Sequence, residues 1–103
     1  MKDTTYNGWT NYETWNYKLW MDNDQGSYEY YLELAQDLNN GTHSKEDIAI
    51  MLADSLKDTC EQYLEEWMGD QSGPFADILN AGVSQINWYE IANSILEDIE
   101  EAA

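Results

Sequence analysis

Thirteen consecutive residues, Gly8 to Trp20 (GWTNYETWNYKLW), hold three of the chain's five tryptophans and two of its eight tyrosines. A short chain tolerates rings of that size only when most of their surface is withdrawn from water. The stretch is therefore expected to supply core. Thr10 and Glu13 have the spacing of a capping box, which predicts a helix over about 11–21. Tyr12, Trp15 and Leu19 recur at helical intervals along it and should form its inner stripe, widened by Trp20.

The remaining elements follow from start and stop signals. Residues 1–8 read as a loosely held leader, and Asp22-Asn23-Asp24-Gln25-Gly26 as a break. Ser27 is placed to cap a second helix over 28–38, buried through Tyr31, Leu34, Ala35 and Leu38 and ended at Asn39-Asn40-Gly41. Ser44 with Asp47 opens a helix that meets no breaker from Lys45 to Met68, about 36 Å at 1.5 Å per residue. Its apolar face is read as Ile48, Leu52, Leu56, Tyr63 and Trp67, helped by Met51 and Thr59. Pro74 suits the first position of a short helix to Ala81, with Phe75, Ile78 and Leu79 inward. Asn87 with Glu90 caps a last helix over 88–101, whose inner face is Trp88, Ile91, Ala92, Ile95 and Ile99. No run alternates with period two. The expectation is a single all-α domain, 1–103, of four to five helices around a Trp/Tyr-rich core in which the Trp15–Leu19 and Trp88–Ile95 faces meet.

Several chemistries are excluded. One cysteine and one histidine, Cys60 and His43, make neither a disulfide nor a Cys/His zinc site. Asp22-Asn23-Asp24 with Glu33 imitates a calcium loop, but the glycine falls one position early and a helical pattern overlaps the loop. His43 has no orienting partner, and Cys60 has acidic Glu61 beside it and no base. Without arginine or a glycine-rich phosphate loop, neither an enzyme nor a cofactor is expected. No stretch approaches the roughly 18 apolar residues of a membrane span, and the start does not resemble a signal peptide, so a soluble protein of the host cytoplasm is expected.

Two patches resemble something known. Asn7 to Trp20 (NGWTNYETWNYKLW) with Asp22-Asn23-Asp24, and Ile86 to Asp98 (INWYEIANSILED), are similar to the paired motifs GWxNYETWN and NWxEIA of a family of small acidic proteins. That family is encoded largely by phages, plasmids and other mobile elements, often among antirestriction or other anti-defence genes. The resemblance implies a context and brings no catalytic residue with it.

Charge is the feature with functional content. Twenty-one Asp and Glu against four Lys give a net charge of −17. Such a chain repels nucleic acid and anionic membranes and favours basic partners. Its aromatic content, 14 %, separates it from acidic disordered segments. The acids fall in stripes: Asp54, Asp58, Glu61 and Glu65 meet only Lys57, while Glu29, Glu33 and Asp37 meet no cation. Glu97, Asp98, Glu100 and Glu101 crowd the carboxyl end of the last helix, where the macrodipole already disfavours them. Each like-charge i, i+4 pair costs roughly 0.2–0.5 kcal/mol. The expected function is inhibition of a basic, nucleic-acid-binding defence protein of restriction or CRISPR type, by DNA or RNA mimicry through these faces. The alternative is a non-catalytic adaptor or dimerisation module resting on an apolar patch such as Tyr17, Tyr30 or Tyr89.

Overall fold

The computed structural model describes residues 4–102, with side chains through residue 99. Among these residues the chain forms five helices and no strand: α1 (Tyr12–Asn23), α2 (Gln25–Leu38), α3 (Lys45–Met68), α4 (Pro74–Ser84) and α5 (Trp88–Ala102). The fold is an all-α bundle, as expected.

The longest element begins and ends where its sequence dictates. Ser44 Oγ accepts from the Asp47 amide at 3.1 Å, and Glu46 and Asp47 sit in the first turn, where the helix dipole favours them. Gly69 closes α3 at φ +56°, a left-handed conformation costly for any residue with a Cβ. The core lies where α3 crosses α5. Ile48, Leu52 and Leu56 from α3 meet Ile91, Ile95 and Leu96 from α5, and α2 adds Tyr31 and Ala35. Ala35, Ala49 and Ala92 are fully buried, and their small size lets the helices approach closely.

α1 departs from the expected arrangement. Its buried residues are Thr14, Lys18 and Met21, not Tyr12, Trp15 and Leu19. Tyr12 and Leu19 are exposed, and Trp20 is 69 % exposed. The helix is apolar on nearly every side, so periodicity alone could not choose its inner face. That choice is made by the hydrogen bond that the Asn87 amide, at the start of α5, donates to the Thr14 hydroxyl, described below. The displaced rings pack on each other instead: Tyr6 lies 5.2 Å from Tyr12 and 4.8 Å from Trp15, centroid to centroid. Where a loose leader is expected, Tyr6 and Trp9 exchange backbone hydrogen bonds of 2.9 and 2.8 Å across Asn7-Gly8. Asn7 and Gly8 have φ of +48° and +88°, as a two-residue hairpin turn requires. Residues 1–3 of the expected leader lie outside the described residues.

The break between α1 and α2 is also shorter than expected. Asp24 alone separates them, and Ser27, read as a cap, sits inside α2 and donates to Asp24 Oδ2 at 2.9 Å.

A larger departure lies at the far end of α3. Its buried run stops at Cys60; Tyr63 is exposed, and Trp67 is 85 % exposed. α4 contributes no buried residue, and Phe75, 86 % exposed, and Ile78 face solvent instead of the core. The cause is length. By helix rise α3 spans about 36 Å, whereas α2 and α5 each span little over 20 Å, and the final turn of α3, with Trp67, is left uncovered by them. The radius of gyration is 14.8 Å, against about 13 Å for a compact domain of this size, and reflects that projecting end.

Candidate functional site

The two signature patches, far apart in sequence, meet at the amino ends of α1 and α5. Asn11 caps α1, its Oδ1 accepting from the Thr14 amide at 2.9 Å and from the Thr14 hydroxyl at 2.6 Å. That hydroxyl accepts in turn from the Asn87 amide at 2.9 Å, and Asn11 Nδ2 donates to the Gln85 carbonyl at 2.7 Å. Asn87 Oδ1 caps α5 by accepting from the Glu90 amide at 3.0 Å. The Glu90 carboxylate, expected to reach back to its own cap, instead takes the Thr10 amide at 3.0 and 3.2 Å. The first motif thus takes the amide of the α5 cap, and the second the amide just before the α1 cap. Below this junction Tyr17 meets Trp88 edge-on at 4.9 Å. Thr14 is 0 % exposed and no buried side-chain polar atom lacks a partner among the described residues, so the fold accounts for Asn11, Thr14, Asn87 and Glu90 of the motifs.

Lys18 is the one buried cation among the described residues. It is 5 % exposed, and its ammonium lies 2.6 and 2.7 Å from the two Asp22 oxygens. Asp22 is thereby engaged within α1, and Asp24 by Ser27. Among the described residues no group of three His, Cys, Asp or Glu is arranged to hold a metal ion.

Three titratable groups at the edge of the core, Tyr17, Tyr31 and Cys60, are held protonated. Burial pushes the Tyr17 hydroxyl far above its ordinary value, and the neighbouring Cys60 pushes it further; the hydroxyl donates to the Cys60 sulfur. Burial likewise raises the Cys60 thiol, against the opposing effect of that hydrogen bond. Tyr31 is raised by burial and partly restored by a hydrogen bond from Thr59. A thiol and phenols kept protonated are poor nucleophiles and bases. Tyr30, Tyr31, Tyr63, Asp24 and Ser27 line an open cleft of about 380 Å³.

The acidic stripes lie at the surface. Asp54, Asp58, Glu61 and Glu65 are all exposed, and by the 3.6-residue repeat they occupy the face of α3 opposite Ile48, Leu52 and Leu56. Glu29, Glu33 and Asp37 are exposed on α2, as is Glu97 on α5, while the Glu101 side chain lies outside the described residues. Gln25 donates to Glu29 at 3.0 Å. The tyrosines named for an apolar patch divide: Tyr30 and Tyr89 are exposed, but Tyr17 packs against the core.

An apolar surface expected to be buried stands open instead. Trp67, Met68, Pro74, Phe75 and Leu79 line a shallow cleft of about 220 Å³ between the end of α3 and α4. Ile78 of α4 is exposed as well. The sequence carried no signal of this, since Trp67, Phe75 and Leu79 recur at the spacing of buried residues.

The site is thus a set of surfaces on a small acidic helical domain. The chain belongs to a family described as a family of unknown function (DUF7249), which it matches over residues 2–102. No curated protein and no solved structure shows significant similarity to it. No helix among the described residues is long and apolar enough to cross a membrane.

Proposed function

We propose that the protein is a non-catalytic inhibitor of host defence that acts in the host cytoplasm by occupying the basic groove of a nucleic-acid-binding protein, such as a restriction or CRISPR-type effector. The observation that carries this reading is the α3 stripe. Asp54, Asp58, Glu61 and Glu65 stand exposed on a rigid helix, in steps of about 4.5–6 Å, and oppose helix stability by mutual repulsion. Nucleic acid offers basic proteins a regular array of negative charge, and such a row presents a comparable field to the same groove. The resemblance to proteins of mobile elements supports the context. The uniform charge opposes direct nucleic-acid binding.

The test is a pull-down from a plausible host with two baits, the wild-type chain and a variant with Asp54, Asp58, Glu61 and Glu65 changed to Lys. The captured protein is then titrated against duplex DNA at low and moderate salt. Mimicry requires that the variant lose the partner, that DNA displace the wild type, and that salt weaken the complex steeply. Simultaneous binding of DNA and protein would show the reading to be wrong for this surface. The open cleft at the end of α3 favours a second reading, a neutral adaptor whose complex tolerates salt and ignores DNA.

A further inference from the structure

We infer that the end of the molecule built from the last turns of α3 and the first turns of α4 is a docking site for a basic amphipathic helix of a partner protein. The inference goes beyond the stripe reading and rests on a different surface. Trp67 and Phe75 are 85 % and 86 % exposed, and with Met68 and Leu79 they line one apolar cleft that the fold does not fill. Large rings left in water on adjoining elements mark an interaction surface. Aromatic anchors of this kind carry most of the affinity where an amphipathic helix lies in a groove.

Charge selects the occupant. Glu66 precedes Trp67 in the last turn of α3 and Asp70 lies in the turn to α4, next to Gln71 of the cleft wall, both exposed. From Asp58 to the last residue there are eleven carboxylates and no Lys or Arg. A second copy of this chain, at −17, would set the same acids against each other, and an anionic bilayer would be repelled. A helix with apolar residues at i, i+3 or i+4 and i+7, and Lys or Arg on its flanks, satisfies both the rings and the acids.

The probe is a synthetic Leu/Lys amphipathic helix of about 20 residues, compared with an Ala/Lys helix of equal length and charge. Both are titrated by calorimetry into the wild-type chain, a Trp67→Ser/Phe75→Ser variant and a Trp20→Ser control. Equal charge makes the difference between the peptides independent of the acidic stripes, so this inference can fail while the mimicry reading stands, and the reverse. The expected result is a preference for Leu/Lys of at least about tenfold in the wild type and in Trp20→Ser. In the double variant the preference should vanish, with an unchanged circular dichroism spectrum and melting point. Equal binding of the two peptides by the wild type, or an undiminished preference in the double variant, overturns the proposal. So does loss of the preference in Trp20→Ser. Sedimentation of the wild type as a dimer that the double variant dissociates overturns it in favour of a second copy.

Discussion

The junction of α1 with α5 and the outer end of α3 with α4 are both rich in aromatic rings, yet the fold treats them oppositely. At the junction, Tyr17 and Trp88 close over a network in which Thr14, Asn11 and Asn87 leave no buried polar atom unpartnered. At the outer end, Trp67 and Phe75 stand in water. What separates them is the availability of a covering element. α5 is tied to α1 by the bonds from the Asn87 amide to the Thr14 hydroxyl and from the Thr10 amide to the Glu90 carboxylate, whereas α3 is longer than either α2 or α5. Aromatic density therefore measures surface that seeks a partner, and the partner can lie within the chain or outside it.

Breaking the covered side should have the largest effect. Leu56, fully buried, should cost about 2–5 kcal/mol of stability when changed to Ala, and urea unfolding followed by circular dichroism measures it. At the outer end, Trp67→Ala should stay within about 0.5 kcal/mol of the wild type in the same assay. Equal losses at the two positions would erase the contrast.

Thr14→Val sharpens the contrast at the junction. It keeps the shape of the side chain but strands the Asn87 amide, at a cost of about 1–3 kcal/mol, whereas Thr14→Ser preserves both hydrogen bonds and should lose less. A valine variant as stable as the serine one would show that the network is dispensable.

Alkaline pH tests the packed side from another direction. Tyr17 and Cys60 are held protonated in the fold, with values raised above the 10.0 and 9.0 they would have when unfolded. The folded chain therefore binds more protons than the unfolded one above about pH 9. Stability contributed by these groups is fully present below that range and declines as pH rises through 9 and 10. Thermal melts across pH 7 to 11 should show the decline, and Tyr17→Phe should flatten part of it. A wild-type curve that is level to pH 11 would contradict the buried pair.

The smallest effect belongs to the acidic stripes. Added salt screens their repulsion, so the melting point should rise by a few degrees between low and moderate ionic strength. Changing Asp54 and Asp58 to Asn should reduce that dependence, which a neutral arrangement of the same charges would not show.

Much of this architecture was legible in the chain itself. Ser44 with Asp47 and the glycine at 69 set the bounds of α3 because capping is local: a side chain and an amide three residues away suffice. Most of the inner face of α5 was equally readable, since Ile91, Ala92 and Ile95 recur at helical spacing, although Leu96, also buried, was not placed on it. The exposed acids of α3 followed from the same period. The inner face of α1 did not follow, because a helix apolar on all sides gives periodicity nothing to choose from; a hydroxyl bonded to a residue 73 positions away made the choice. Nor did the fate of Trp67 and Phe75, whose spacing matches that of buried residues. Spacing fixes a direction about a helix's own axis, while burial depends on whether a neighbour extends far enough to meet it, and that length is a property of the assembled bundle.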